Sequence, residues 1–166
     1  MTTIPTALTL APVEPGDVVV MIGASGSGKS TLLFTVPPHQ IVSLDQLRAV
    51  ASEPGDQSAT ADALLLQHQI LSMRLRRGLT TFVDNVSCES HHRLQLVDLA
   101  HAHGRRAIAV LTDAPLDLCL ARNSSRPGHQ RVPEDVLRYQ HRMARSAREL
   151  LPREGFDEIH HHRTGR

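Results

Sequence analysis

Lys29 is the only lysine among the 18 basic residues of this chain; the other 17 are arginines. It lies in Gly23-Ala24-Ser25-Gly26-Ser27-Gly28-Lys29-Ser30, followed by Thr31, which satisfies G-x-x-x-x-G-K-[ST] at every defined position. Such a loop wraps a phosphate chain: its glycines allow close backbone approach, and successive N–H groups of loop and helix start point at the anion. Lys29 is expected to reach the β and γ phosphates, and the Ser30 hydroxyl to ligate Mg2+. A chain so biased to arginine keeps its one lysine where a compact ammonium on a flexible stem does what a planar guanidinium cannot. The loop therefore predicts a bound nucleoside triphosphate.

Three further groups could complete a transfer site. Asp45 opens Asp45-Gln46-Leu47-Arg48, where the two charged side chains, three residues apart at a helix start, can project to the same side. A carboxylate opposite a phosphate loop can take the proton of an acceptor hydroxyl, and a neighbouring guanidinium can grip an anionic group on that acceptor. The same pair would equally serve as an Asp cap with an exposed Arg. Asp84 ends the run Thr80-Thr81-Phe82-Val83, the setting of a Walker B carboxylate that holds Mg2+ directly or through water; a strand-end turn is the alternative. Arg122-Asn123-Ser124-Ser125-Arg126, then Arg131, form a basic polar stretch. It would act as a lid stabilising charge on the transferring phosphoryl group, or else as a solvated loop.

These groups need a scaffold, and the chain supplies strand and helix signals in alternation. Val18–Ile22 reads as the strand before the phosphate loop, and Thr31 to Phe34 continue a helix. Gln40 to Leu44 reads as a second strand ending at Asp45, and Ala59 to Arg77 as a helix with a stripe that includes Leu65, Leu71, Met73 and Leu75, stopped by Gly78. A third strand ends at Asp84. Ser87 or Ser90 would cap the helix running to His103-Gly104. Ala107 to Leu111, Pro115 to Asn123, Pro133 to Leu151 and Phe156 to His160 follow as strand, helix with Pro115 at its first position, long helix and last strand. A short edge strand at Ala7 to Leu10 is also compatible. Alternation on this scale means a parallel α/β sheet with right-handed crossovers, whose ligands sit beyond the carboxyl ends of the strands. The loop, Asp45 and Asp84 all fall at that edge.

Composition bounds the rest. The length suits one domain over residues 1–166, with an N-terminal segment at 1–16, a lid at 123–132 and a tail at 161–166. No apolar run approaches a membrane span, and the N-terminus lacks the basic region of a signal peptide. Cys88 and Cys119 are too few for a disulfide framework and read as reduced thiols of a cytoplasmic protein, Cys119 packed in an apolar helix. Net charge is +1, with the cations concentrated after residue 60, and aromatics are only 2% of the chain, which argues against extensive base stacking. Arg138, Arg142 and Arg145 read as part of an ordinary charged helix face. The 11 histidines contain no zinc-ligand spacing, and adjacent His91 and His92 are expected to point in different directions from a helix.

On these residues the chain resembles the 5′-hydroxyl polynucleotide kinase domain of bacterial end-healing RNA repair proteins, a branch of the P-loop phosphotransferases. The likeness runs from about Ile4 to Ile159. Its carriers are the phosphate loop, Ser43-Leu44-Asp45-Gln46-Leu47-Arg48, Asp56-Gln57-Ser58-Ala59-Thr60, Val83-Asp84-Asn85, Cys119-Leu120-Ala121-Arg122-Asn123 and Arg153-Glu154-Gly155-Phe156. The resemblance implies a five-stranded parallel sheet in the order 2-3-1-4-5, with helices on both faces and an arginine-bearing lid. It implies Asp45 as general base on the 5′-OH, Arg48 on the acceptor's neighbouring phosphate, and Gln57 ordering that pair. Asp84 would serve the metal, and Arg122 with Arg126 or Arg131 would form the clamp. Two departures stand out: Asp84-Asn85-Val86-Ser87 replaces the family's tendency to Asp-Ala-Thr-Asn, and the lid is one residue longer.

The expectation is an ATP- and Mg2+-dependent kinase whose acceptor is the 5′-OH of a nucleic acid. The modest charge and scarce aromatics favour instead a small-molecule hydroxyl on a sugar, nucleoside or antibiotic. A nucleotide switch or regulatory ATPase without acceptor is the third reading.

Overall fold

The structure is a computed structural model that describes residues 12–165. The strand compatible with Ala7 to Leu10 lies outside the described residues. Strand β1, Val18–Ile22, is at most 1% exposed at every position, because neighbours cover both of its faces. A strand buried on both faces needs a continuous apolar run rather than alternation, which Val-Val-Val-Met-Ile supplies. It pairs in parallel with β3 (Thr81–Asp84) on one side and β4 (Ala107–Asp113) on the other. The outer strands β2 (Ile41–Ser43) and β5 (Glu158–Arg163) complete one sheet in the order β2-β3-β1-β4-β5. The fold class and strand order are those expected from the sequence.

Val18, Val20 and Ile22 pack towards α3 (Thr60–Arg76), α4 (Ser90–Ala102) and α6 (Glu134–Leu150) through Leu71, Leu75, Leu96, Val97 and Ala147. Val19 and Met21 pack the opposite way, onto Leu32 and Leu33 of the short helix α1 (Lys29–Leu33). Helix α5 (Leu116–Ser124) joins α6 through buried Cys119 and Leu137, so Cys119 is a packed thiol.

Several boundaries differ from the sequence reading. Strand β2 ends at Ser43, and Asp45 falls in the first turn of α2 (Leu44–Ala51) rather than at a strand end. Leu44 to Ala51 contains strong helix formers, whereas only Ile41 and Val42 favour a strand. In α3 the buried line is Ala63, Gln67, Leu71 and Leu75, while Leu65 is 59% and Met73 47% exposed. The polar member of that line is satisfied by a reciprocal amide pair: Gln67 Nε2 donates to Asn85 Oδ1 at 2.9 Å and Asn85 Nδ2 to Gln67 Oε1 at 3.0 Å. Pro115 is the N-cap of α5, not its first helical residue. Strand β5 runs on to Arg163, so the first half of the expected tail is sheet.

Neither expected serine caps α4, whose N-cap is Glu89. Ser90 Oγ donates instead to Glu154 Oε1 at 2.6 Å. Ser87 adopts φ 48°, and its buried hydroxyl finds no partner among the described residues. A left-handed conformation in a non-glycine residue persists where the surroundings over-determine it. Here the fastener is Arg93, fully buried, whose Nη1 donates to the carbonyls of Ser87 (3.0 Å) and Cys88 (2.7 Å). Its other nitrogens form a fork on Glu154, Nε to Oε2 at 2.7 Å and Nη2 to Oε1 at 2.6 Å. Glu154→Ala would strand a buried cation, so we expect it to cost about 3–5 kcal/mol of unfolding free energy in urea titration. A loss below about 1 kcal/mol would show that the pair does not hold this segment.

Candidate active site

Side chains brace the phosphate loop through its carbonyls. Lys29 Nζ donates to Gly23 O at 2.8 Å and Ala24 O at 3.1 Å, Arg122 Nη1 to Gly26 O at 2.8 Å, and Thr164 Oγ1 to Ser27 O at 2.5 Å. Four carbonyls of the loop are thus held by side chains; in loops of this kind backbone N–H groups meet the anion. Ser25 N donates to Gln140 Oε1 on α6 at 3.1 Å. The Ser27 and Thr112 hydroxyls meet at 2.6 Å, and Thr112 Oγ1 also reaches Ile22 O at 3.2 Å. Glycine is required at Gly23, where a Cβ would lie 2.2 Å from Thr112 Oγ1. It is required again at Gly28, which has φ 108° and Thr164 Cγ2 2.8 Å from an added Cβ. Thr112, Gln140 and Thr164 were not singled out in the sequence. Thr112 alone carried a signal, as the polar residue after an apolar strand at the ligand-binding edge.

Beside the loop opens a cleft of about 420 Å³. Ser25, Lys29, Ser30, Asp45, Arg48, Gln57, Asp84 and Arg126 all line it, so residues from the phosphate loop, α1, α2, the turn at Gln57–Ala59, β3 and the lid share one space. Asp45 is ion-paired with Arg48; its side chain is 85% exposed, while that of Arg48 is 12% exposed. Gln57 is exposed at the rim. The sequence had not pointed to Leu44, Leu64, Val136 and Tyr139, which give this cleft an apolar flank.

The three lid arginines part company. Arg126 lines the cleft, Arg122 is bonded to Gly26 of the loop and is not part of the cleft lining, and exposed Arg131 donates Nε to Arg126 O at 2.6 Å. Arg122, Asn123 and Ser124 are still helical, so the lid begins at Ser125. Buried Asn123 closes its base: Nδ2 donates to Val132 O at 2.7 Å, and Oδ1 accepts from Val132 N at 2.9 Å. Arg138 pairs with Glu134 one turn away, as a charged helix face should.

Burial sets the electrostatics. It pushes the Lys29 ammonium below the usual lysine range, against the opposing pull of Asp84 and, more weakly, Asp45. Burial likewise raises the Asp84 carboxyl, with Lys29 opposing and Asp45 reinforcing. Cys88 is pushed up to about 11 by burial, so it is a neutral thiol, donating to Gln140 O at 3.3 Å. A carboxyl raised on folding binds more protons in the native state than in the unfolded chain, so its contribution to stability falls as pH rises through its titration. Asp84→Asn is therefore expected to raise the thermal midpoint of the ligand-free protein at pH 7, with the gain shrinking as pH falls towards the ordinary carboxylate range and gone below it. A lower midpoint at every pH would make Asp84 a structural residue.

A family model described as an AAA domain matches residues 18–151. The hemin import ATP-binding protein HmuV of Chelativorans sp. (strain BNC1) is 30% identical over 105 residues, 55% of this chain and 40% of that protein. The fold resembles a chain of the Pnkp1/Rnl/Hen1 RNA repair complex with TM-score 0.69 at 15% identity, over 80% of this chain and 45% of that one. It also resembles a gluconokinase from Sinorhizobium meliloti 1021 with TM-score 0.59 at 19% identity, over 92% and 84% of the two chains. The match thus spans less than half the length of the first two proteins, and at these identities the structural likeness is one of fold, that of P-loop kinases.

Proposed function

The chain belongs to the AAA domain family, and on that premise we propose that it is a kinase transferring the γ-phosphate of ATP to a hydroxyl acceptor, with Mg2+. The observation that carries this reading is the shared cleft, in which Lys29, Ser30, Asp84 and Arg126 stand with Asp45, Arg48 and Gln57. The first set suits a triphosphate and the second an acceptor. Ser30 and Asp84 offer oxygen donors on the wall of this one cleft, a donor set suited to a hard cation. Bound there, Mg2+ would supply charge neutralisation on the phosphate oxygens.

Each side chain then has a task. Lys29 leaves the carbonyls of Gly23 and Ala24 for the phosphates, and Arg126 brings a second cation over them as the lid closes. Asp45 takes the proton from the acceptor hydroxyl, while Arg48 binds an anionic group of the acceptor and Gln57 orders that side. Among acceptors, the 5′-OH of a nucleic acid is our leading reading, supported by Asp45, Arg48 and Gln57 together and by the likeness to a chain of an RNA repair complex. The second reading is a small hydroxyl compound. Leu44, Leu64, Val136 and Tyr139 on the cleft wall favour it, as do the acidic residues Glu53, Asp56 and Asp62 flanking Gln57 in sequence and the likeness to a gluconokinase.

The test is transfer of label from γ-labelled ATP to 5′-OH RNA and DNA oligonucleotides, run beside sugars, nucleosides and hydroxylated antibiotics. Labelled oligonucleotide supports the leading reading. Label on small compounds alone overturns it in favour of the second. ATP hydrolysis with no labelled acceptor, and unaffected by Asp45→Ala, overturns both and leaves a regulatory ATPase.

A further inference from the structure

The first turn of α4 carries a cluster that the transfer chemistry does not use. Ligand atoms of Glu89, His91 and His92 lie within 4.8 Å of one another. Contrary to the expectation for neighbours on a helix, the two imidazoles come together, with centroids 4.0 Å apart and planes at 41°. The reason is their position. Helical Cα–Cβ bonds lean towards the N-terminus, and in the first turn no preceding turn obstructs the side chains. Both therefore reach back over the N-cap residue, Glu89.

The distances favour a shared ion over direct bonding. His91 Nε2 lies 3.4 Å and His92 Nε2 3.8 Å from the same oxygen, Glu89 Oε2. Both exceed the usual 2.7–3.2 Å of an N–H···O bond. Two ligands of a tetrahedral zinc ion, each at about 2.1 Å from the metal, stand about 3.4 Å apart. One contact matches that spacing and the other is a few tenths of an ångström longer. The second carboxylate oxygen, Oε1, faces Tyr139 OH of α6 at 3.4 Å, a long contact that leaves Oε2 to the imidazoles. Two imidazoles and one carboxylate select a borderline ion such as Zn2+, Co2+ or Ni2+ over Mg2+, which prefers oxygen ligands in an octahedron.

We propose that Glu89, His91 and His92 form a site for one zinc-class divalent ion at the mouth of the cleft, with its remaining coordination open. Glu89 and His92 are also cleft-lining residues, so an ion held there stands at the entrance to the transfer site and restrains turnover. Binding is independent of the proposed kinase reaction; only the restraint on turnover rests on it.

The experiment is a Zn2+ titration of the untagged full chain against a chromophoric chelator, with Co2+ absorption as a second probe. His91 and Glu89 side chains are 63% and 41% exposed, so His91→Ala and Glu89→Ala are expected to fold, which circular dichroism checks. Wild type should bind one equivalent that each variant weakens by about tenfold or more. Co2+ should give the intense bands of four- or five-coordination in wild type only. His161→Ala, at the exposed member of the His160-His161-His162 run of β5, is the control for histidines elsewhere and should leave that equivalent in place. Equal affinity and stoichiometry in wild type and His91→Ala would overturn the site. Binding that depends on His91 and Glu89, with turnover unchanged by zinc, would overturn the restraint while the kinase assay itself still reads activity.

Discussion

Lys29→Ala is expected to lower kcat for phosphoryl transfer by about 10³-fold, with the folded protein intact. Removing one preorganised charge-stabilising donor commonly costs about 10²–10³ in rate. Lys29 is placed to cost at the upper end, because its ammonium is half-buried beside the loop rather than solvated. In the ligand-free protein its hydrogen atoms go to the carbonyls of Gly23 and Ala24, bonds that an arriving triphosphate would replace. Stability should change little, since the variant loses two hydrogen bonds and also relieves a cation disfavoured by burial. Lys29→Arg should not rescue. A planar fork cannot take the place of a compact ammonium in the space between Gly23, Ala24 and the cleft, and the chain has arginine at every other basic position. Single-turnover rates with saturating ATP, beside thermal midpoints, make the comparison. A kcat within about threefold of wild type would remove Lys29 from the transfer step.

The loop and β1 were readable because their signals are local: five apolar residues, then fixed glycine and lysine spacing. The parallel sheet followed from strand–helix alternation, and its strand order from the family resemblance. What the sequence hid is non-local. Gln140 holds Ser25 across 115 residues and Thr164 holds Ser27 across 137, and neither a lone glutamine nor a lone threonine announces such a bond. Gln67 sits on the buried line of α3, where an apolar residue is expected, because Asn85 satisfies both ends of its amide. Nothing local sets Arg93 apart in an arginine-rich chain, yet it is the buried clamp on the strained turn at Ser87. The His91–His92 reading failed for a geometric reason. Helical divergence of adjacent side chains describes a helix interior, whereas these two residues lie in a first turn and fold back on the N-cap.

Asp45→Asn separates chemistry from binding, and we expect kcat to fall by about 10²-fold or more while KM for the acceptor stays level or drops. The asparagine keeps the shape of the side chain but cannot accept a proton from the hydroxyl. It also releases Arg48 from its ion pair, freeing the guanidinium for an anionic group on the acceptor. The exposure of Asp45 means that the pair contributes at most about 1 kcal/mol to folding, so the variant should melt with wild type. Arg48→Ala should show the converse pattern, with acceptor KM raised and kcat less affected. The contrast between the two variants carries the assignment. A general base acts only in the transition state, so its loss appears in kcat and in kcat/KM alike, whereas a binding cation acts before it. If Asp45→Asn leaves kcat within about threefold of wild type, Asp45 is a first-turn carboxylate of α2 and the partner of Arg48, and the proton must leave by another route. If both variants raise KM alone, the acceptor side of the cleft binds without catalysing, and the rate must come from the phosphate side, where Lys29 and Arg126 stand.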